Sequence, residues 1–253
     1  MLFASFLGAA QGWWHRARRQ VRWPSASPSL SPLRRLRRWH SVVPIRTLGE
    51  RHCARIQAHL CALGPQARYL RFGHAATDAQ IAQYVRGIDF VRDEVFGIFN
   101  RRIELIAVAH LARMPDAVAP PFQAGGATAE FGVSVLRAAR GRGFGTRLFA
   151  RAVLHARNAG IGTLFIHALS ENVAMLKIVR RAGATVRRDG GESDCWLELP
   201  APDFDSRVAE FASDRVAEAD YRFKHRALQL RALLHGVQKV RRGVRAARHR
   251  SAP

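Results

Sequence analysis

From about Ser41 the apolar positions fall into regular patterns. "SVVPIRTL" reads as a strand, and Cys53, Ile56, Leu60 and Cys61 recur at helical spacing through "ERHCARIQAHLCAL". "GPQARYLRFG" predicts a loop, followed by a second helix over "TDAQIAQYVRGI" with Thr77 as its N-cap. "DEVFGIFN" and "IELIAVAHLAR" predict two strands joined by "RR" as a hairpin, and "MPDAVAPPFQAGG" predicts a loop. The strand "ATAEFGVSVL" then leads through three glycines into a helix reaching about Asn158, with Leu148, Phe149, Ala152, Val153 and Ala156 on its apolar face. A strand over "TLFIHAL", a helix over "ENVAMLKIVRRAG" and closing strands near "ATVRRD" and "DCWLEL" complete the pattern. Hairpins early and β-α-β units late predict an α/β (α+β) domain over residues 41–200, a mixed central sheet flanked by helices.

Beyond Pro202 the chain reads as helix, a C-terminal helical extension over residues 201–253. Leu230, Leu233, Leu234, Val237 and Val240 form a stripe that Arg231 and Lys239 avoid. Such a stripe is expected to pack on its own domain or on a second subunit of a homodimer; a basic amphipathic helix on a membrane or nucleic acid is the alternative. Residues 1–40 form a basic segment expected to lack regular structure, and its apolar opening is too short to span a bilayer and unlike a signal peptide.

Charge sharpens this division. The net charge is +22, yet no Asp or Glu precedes Glu50 or follows Asp220. Residues 50–220 carry 22 basic and 19 acidic side chains, so the basicity belongs to the ends, which favour a polyanion such as RNA, DNA or anionic lipid. The 38 Arg against 3 Lys are what a GC-rich genome produces. Cys53, Cys61 and Cys195 show no metal or disulfide spacing; no metal site is expected, and free thiols point to a reducing, cytoplasmic compartment.

The stretch "VSVLRAARGRGFGTRLFARAVLHA" carries the candidate chemistry. A glycine turn between a strand and a helix exposes backbone N–H groups that the helix cannot satisfy, and Gly141, Gly143 and Gly145 allow a phosphate to approach closely. Arg140, Arg142 and Arg147 add positive potential. Thr146 stands where a dinucleotide fingerprint needs its third glycine, and no lysine completes a P-loop. A plain tight turn without a ligand remains the other reading of these residues alone.

In context, Arg140-x-x-Gly143-x-Gly145 after a strand resembles the acyl-CoA pyrophosphate loop of the GNAT superfamily of N-acyltransferases. "ENVAMLKIVRRAGA" resembles that family's later helix, opened by an Asn and closed by a Gly, as Asn172 and Gly183 do here. "ARYLRFG", "AEFGVSV" and the Asn172 to Met175 run look closest to bacterial protein-lysine acetyltransferase domains. The resemblance implies a GNAT-type fold, acetyl-CoA as acyl donor, and a protein lysine or small-molecule amine as acceptor. It implies donor contacts from Val133, Val135, Arg140, Gly141, Arg142, Gly143, Phe144, Gly145 and Thr146. Asn172 is read as a pantetheine contact, a helix cap, or both.

Acyl transfer to a lysine-type amine, with a pKa of about 10.4, calls for a base. The resemblance gives that role to Glu130, against an ordinary solvent-facing strand carboxylate. His167, on the strand beside it, is the second candidate, against a structural histidine. Many relatives carry a proton-donating tyrosine where Val179 stands. The alternative to an enzyme is therefore an acyl-CoA-binding sensor held on nucleic acid or membrane by its basic tails.

Overall fold

The structure, a computed structural model, describes residues 43–114 and 127–250, with side chains as far as residue 229. The N-terminal segment over residues 1–40, most of the "MPDAVAPPFQAGG" loop and the side chains of the leucine stripe lie outside these residues.

Among the described residues seven strands form one sheet in the order β1-β2-β3-β4-β5-β7-β6. They are β1 (Arg46–Leu48), β2 (Glu94–Phe99), β3 (Leu105–Arg113), β4 (Ala127–Val135), β5 (Ile161–Leu169), β6 (Thr185–Asp189) and β7 (Glu192–Glu198). Every pairing is antiparallel except β4 with β5. One face carries α1 (Cys53–Cys61), α2 (Pro65–Phe72) and α3 (Asp78–Arg86); the other carries α4 (Phe144–Asn158) and α5 (Val173–Ala182).

The expected strands and helices are present, the first strand being confined to Arg46–Leu48, and two local readings are corrected. "GPQARYLRFG" is not a loop. It holds α2, which starts with Pro65 in its first turn and stops at Gly73, whose φ of 77° is the left-handed conformation a glycine adopts without strain. The expected Thr77 cap is formed: its Oγ1 accepts from Gln80 N at 3.3 Å, and Gln80 Oε1 accepts from Thr77 N at 2.8 Å. The β2–β3 turn is wider than two arginines, because Asn100 Oδ1 accepts from the amides of both Arg102 and Glu104.

Two cores follow from the alternation of the strands. Phe96, Ala109, Phe131, Leu164 and Ile166 meet Leu148, Phe149 and Leu176 on the α4–α5 face, with the Phe131 and Phe149 rings edge to face at 5.1 Å. Leu48, Val95, Leu105 and Val108 meet Ile56, Leu60, Ile81 and Val85 on the α1–α3 face.

The C-terminal extension is one helix, α6 (Phe204–Arg250), and its first half packs on the chain's own domain. Arg151 of α4, only 6% exposed, donates to Glu210 at 2.9 Å and to Asp214 at 2.7 Å. Glu210 also takes hydrogen bonds from His155 (2.7 Å) and Asn158 (2.5 Å). Farther along, Glu218 pairs with Arg46 at 3.1 Å, Arg46 lies 3.9 Å above the Tyr221 ring, and Lys224 donates to Phe99 O at 3.1 Å.

Candidate active site

The site begins where the parallel ladder stops. β4 pairs with β5 from Ala127↔Ile161 to Glu130↔Phe165, and beyond that β5 pairs with β7 alone. Met114 N donates to Thr128 O and Leu136 N to Ile106 O, which fixes the phase of the β3–β4 ladder. Even-numbered residues of β4 direct their backbone groups at β3, and odd-numbered ones direct theirs the other way. The amides of Val133 and Val135 therefore point into the gap that opens past Glu130. Arg140 Nε donates to Val135 O at 3.2 Å and ties the following turn to this edge.

That turn places Gly141 and Gly143 at φ of 76° and 75°, where a side chain would be strained. Gly143 is the N-cap of α4, and the first intrahelical bond is Arg147 N to Gly143 O. The amides of Phe144, Gly145 and Thr146 thus have no acceptor within the helix. Arg140 and Arg142 are exposed beside them, and the Arg142 guanidinium lies 4.8 Å from the Phe144 ring centroid. The expected cap on α5 is also formed: Asn172 Oδ1 accepts from Met175 N at 3.1 Å. Its Nδ2 has no partner among the described residues.

Glu130 is exposed, at the last rung of the parallel ladder and on the sheet face that carries α1–α3. His167 lies two residues beyond Phe165 on the same face of β5. Its Nδ1 donates to the buried Asp194 at 2.8 Å, and its Nε2 lies 3.8 Å from Glu192. The bond to Asp194 raises the imidazole pKa against the opposing effect of burial.

A mixed sheet splayed between two parallel strands, with an amide-lined turn opening a helix at the splay, is a distinctive arrangement. Residues 44–185 match the acetyltransferase (GNAT) domain. The chain belongs to the GNAT acetyltransferase family. Acetyl-CoA is the acyl donor of that family. Among curated proteins none matches the sequence.

Solved structures share the GNAT fold. The GNAT domain of S. lividans PAT is 22% identical with a TM-score of 0.52, covering 61% of this chain and 89% of that one. The Salmonella typhimurium protein yncA, solved with its cofactor acetyl-CoA, is 20% identical with a TM-score of 0.47, over 63% and 97% of the two chains. An N-acetyltransferase from Staphylococcus aureus Mu50 is 17% identical, with a TM-score of 0.47 over 62% and 98%.

Two features of this GNAT chain bear on its chemistry. Val179 is fully buried in the α4–α5 core, so that position offers no proton and no surface. The second feature is a polar chain that the sequence reading missed. Arg71 Nη2 donates to Tyr84 Oη at 2.8 Å, Tyr84 Oη bonds His110 Nδ1 at 2.6 Å, and His110 Nε2 lies 3.3 Å from the buried Asp93. Burial pushes the Tyr84 phenol up; Arg71 opposes this and Glu130 adds to it, which ties the chain electrostatically to Glu130. Its four members come from α2, α3, β3 and the approach to β2. No sequence spacing links them.

The buried His59 has the opposite character. It bonds Leu105 O at 2.8 Å and Ser134 Oγ at 2.9 Å, and burial lowers its pKa to about 4. It is a neutral strut between α1 and the sheet. Among the described residues no group of three or more His, Cys, Asp or Glu is arranged to hold a metal ion, and no helix is long and apolar enough to cross a membrane.

Proposed function

We propose that the chain transfers the acetyl group of acetyl-CoA to a primary amine, a small molecule or a protein lysine, at the gap between β4 and β5. One observation carries this reading: the parallel ladder ends at Glu130, leaving the Val133 and Val135 amides beside the glycine turn with a carboxylate at the mouth. The amides of Gly143, Phe144, Gly145 and Thr146, with Gly141 and the Arg140 and Arg142 charges, fit a diphosphate. The open edge of β4 fits an extended pantetheine arm, with the Asn172 amide at its side. The Val133 N–H is suited to polarising the thioester carbonyl.

In this mechanism Glu130 takes one proton from the ammonium, directly or through a water. The neutral amine forms the new N–C bond, the carbonyl carbon becomes tetrahedral, and the C–S bond breaks. The departing thiolate takes the second proton from the positively charged nitrogen of the intermediate. Direct transfer from nitrogen to sulfur needs no side-chain acid, which accommodates Val179. Glu130 is the preferred base of the two candidates on position, because it is exposed at the last rung of the parallel ladder, whereas the His167 Nδ1 is engaged by Asp194. Free Cys53, Cys61 and Cys195 and an acetyl-CoA substrate suit the cytoplasm of a bacterium.

The decisive experiment is a thiol-release assay with acetyl-CoA and a panel of amines. Turnover with any of them supports the transferase, and binding of coenzyme A without turnover across the panel leaves the second reading, an acyl-CoA sensor, which the buried Val179 favours. Substituting Gly143 by Val is expected to weaken coenzyme A binding by about tenfold or more in calorimetry, because a side chain at φ 75° costs about 1–2 kcal/mol and crowds the amide cradle.

The basic ends are proposed to add a salt-dependent polyanion contact. Tyr221 and Leu228 pack on the α1–α3 core, so the informative truncation removes residues 1–40 and 230–253 and spares 221–229. It is expected to flatten the salt dependence of RNA or anionic-vesicle binding. Unchanged dependence would move the contact to the domain.

A further inference from the structure

We propose that Arg71 recognises a carboxylate on the acceptor, so that this chain acetylates an amine carrying a carboxylate near its reacting nitrogen. This rests on the acetyltransferase reading of the β4–β5 gap and specifies the acceptor it takes.

Three observations place a prepared guanidinium on β4 beside Glu130, the base proposed for the acceptor amine. Arg71 reaches from α2 onto β4 and lies against Gly132: a Cβ there would sit 2.6 Å from Cζ and Nη2 and 2.7 Å from Nη1. The planar group is laid on the strand between Glu130 and Ser134, a contact only glycine permits. It is also held in place. Nη2 donates to Tyr84, Tyr84 is fixed through His110 to the buried Asp93, and the guanidinium carbon lies 5.2 Å and 5.5 Å from the Phe72 and Tyr84 ring centroids. Finally, Arg71 is half-buried, yet among the described residues no carboxylate lies within ion-pair distance of it, and Nη2 alone has a hydrogen-bond partner. The buried Asp93 nearby is, by contrast, paired with Arg92 and His110.

A guanidinium withdrawn from water without a counter-ion is costly, and a planar fork with a free edge matches a carboxylate. A cavity of about 10 Å³, roughly the size of one water, lies beside it between Arg71, Tyr84, His110 and Ser134 and the apolar α1–α3 core. The same charge repels an ammonium and favours the neutral amine that attacks. An acceptor bearing only amines would meet this cation without compensation.

The test uses the full chain with saturating acetyl-CoA and two matched acceptor pairs: free L-amino acids against their C-terminal amides, and a lysyl peptide with a glutamate neighbour against its glutamine counterpart. Rates are referred to the neutral amine. The proposal expects the acid member of one pair to be preferred by about 10- to 100-fold, expressed in KM, and the pair that shows it identifies the source. Arg71→Gln is expected to reduce that ratio to near unity, Arg71→Lys to keep part of it, and Gly132→Ala to lower it by displacing the guanidinium. Equal use of both members, or a ratio unchanged in Arg71→Gln while both rates fall, overturns the proposal and makes Arg71 a partner of Glu130. Should no amine turn over, calorimetry of an N-acetyl amino acid and its amide into the coenzyme A-loaded chain decides recognition separately. Binding of the acid alone, lost in Arg71→Gln, upholds it, and identical titrations refute it.

Discussion

Glu130→Gln is expected to lower turnover about 100- to 1,000-fold while leaving acetyl-CoA affinity intact. Glutamine keeps the size and hydrogen-bonding reach of the side chain and loses only its capacity to accept a proton. Because Glu130 is exposed on the face opposite α4, the exchange disturbs neither the glycine turn nor the core. Thiol release at saturating acetyl-CoA gives the rate, and calorimetry with coenzyme A gives the affinity. Undiminished turnover removes the base assignment. If His167→Ala then carries the loss, the imidazole held by Asp194 is the base, and the sensor reading gains only if neither variant has any turnover to lose.

The second large effect concerns stability. Arg151→Leu is expected to cost about 3 kcal/mol in denaturant unfolding at neutral pH, because it leaves Glu210 and Asp214 without their cation at the α4–α6 contact. It should also change the acid limb. Burial pushes the Glu210 carboxyl up, but the hydrogen bonds from His155 and Asn158 and the Arg151 charge outweigh it and hold the pKa at about 2. A carboxylate depressed in the folded state stabilises fully above its unfolded pKa, the ordinary 4.5, and loses that contribution as pH falls towards 2. Burial raises the Glu94 pKa, so this carboxylate works in the opposite sense and in a separate window above 4.5, where protonation relieves its burial before the Glu210 contribution begins to fall. The natural chain should lose stability over the Glu210 window, and Arg151→Leu should lose less of it, having less to lose. An equally steep acid limb in the variant would show that Arg151 is not what holds Glu210 ionised.

Much of the fold is legible from local signals, since alternation along β2–β5 and the apolar stripes of α4 and α5 each state their own element. The glycine turn and the Asn172 cap are legible for the same reason, being consecutive residues whose backbone geometry is set locally. α2 was missed although its signal was present: a proline in the first turn and a glycine just past the end mark a short helix, but "GP" and a closing glycine also mark a loop. The Arg71–Tyr84–His110–Asp93 chain could not be read at all, because it exists only once two helices and two strands have assembled. Arg151 gave a clue of a different kind. It sits on α4 between Leu148 and Ala152, inside the buried stripe, where a charge requires a partner from elsewhere.

That partner lies on α6, and this orders the birth of the described fold on the ribosome. β1 is a three-residue strand whose Arg46 is clasped by Glu218 and Tyr221, so this strand waits for a helix that is translated after the six other described strands. Until then the nascent polypeptide exposes a raw sheet margin and an unneutralised arginine, an interval in which chaperone engagement or misassociation is most costly.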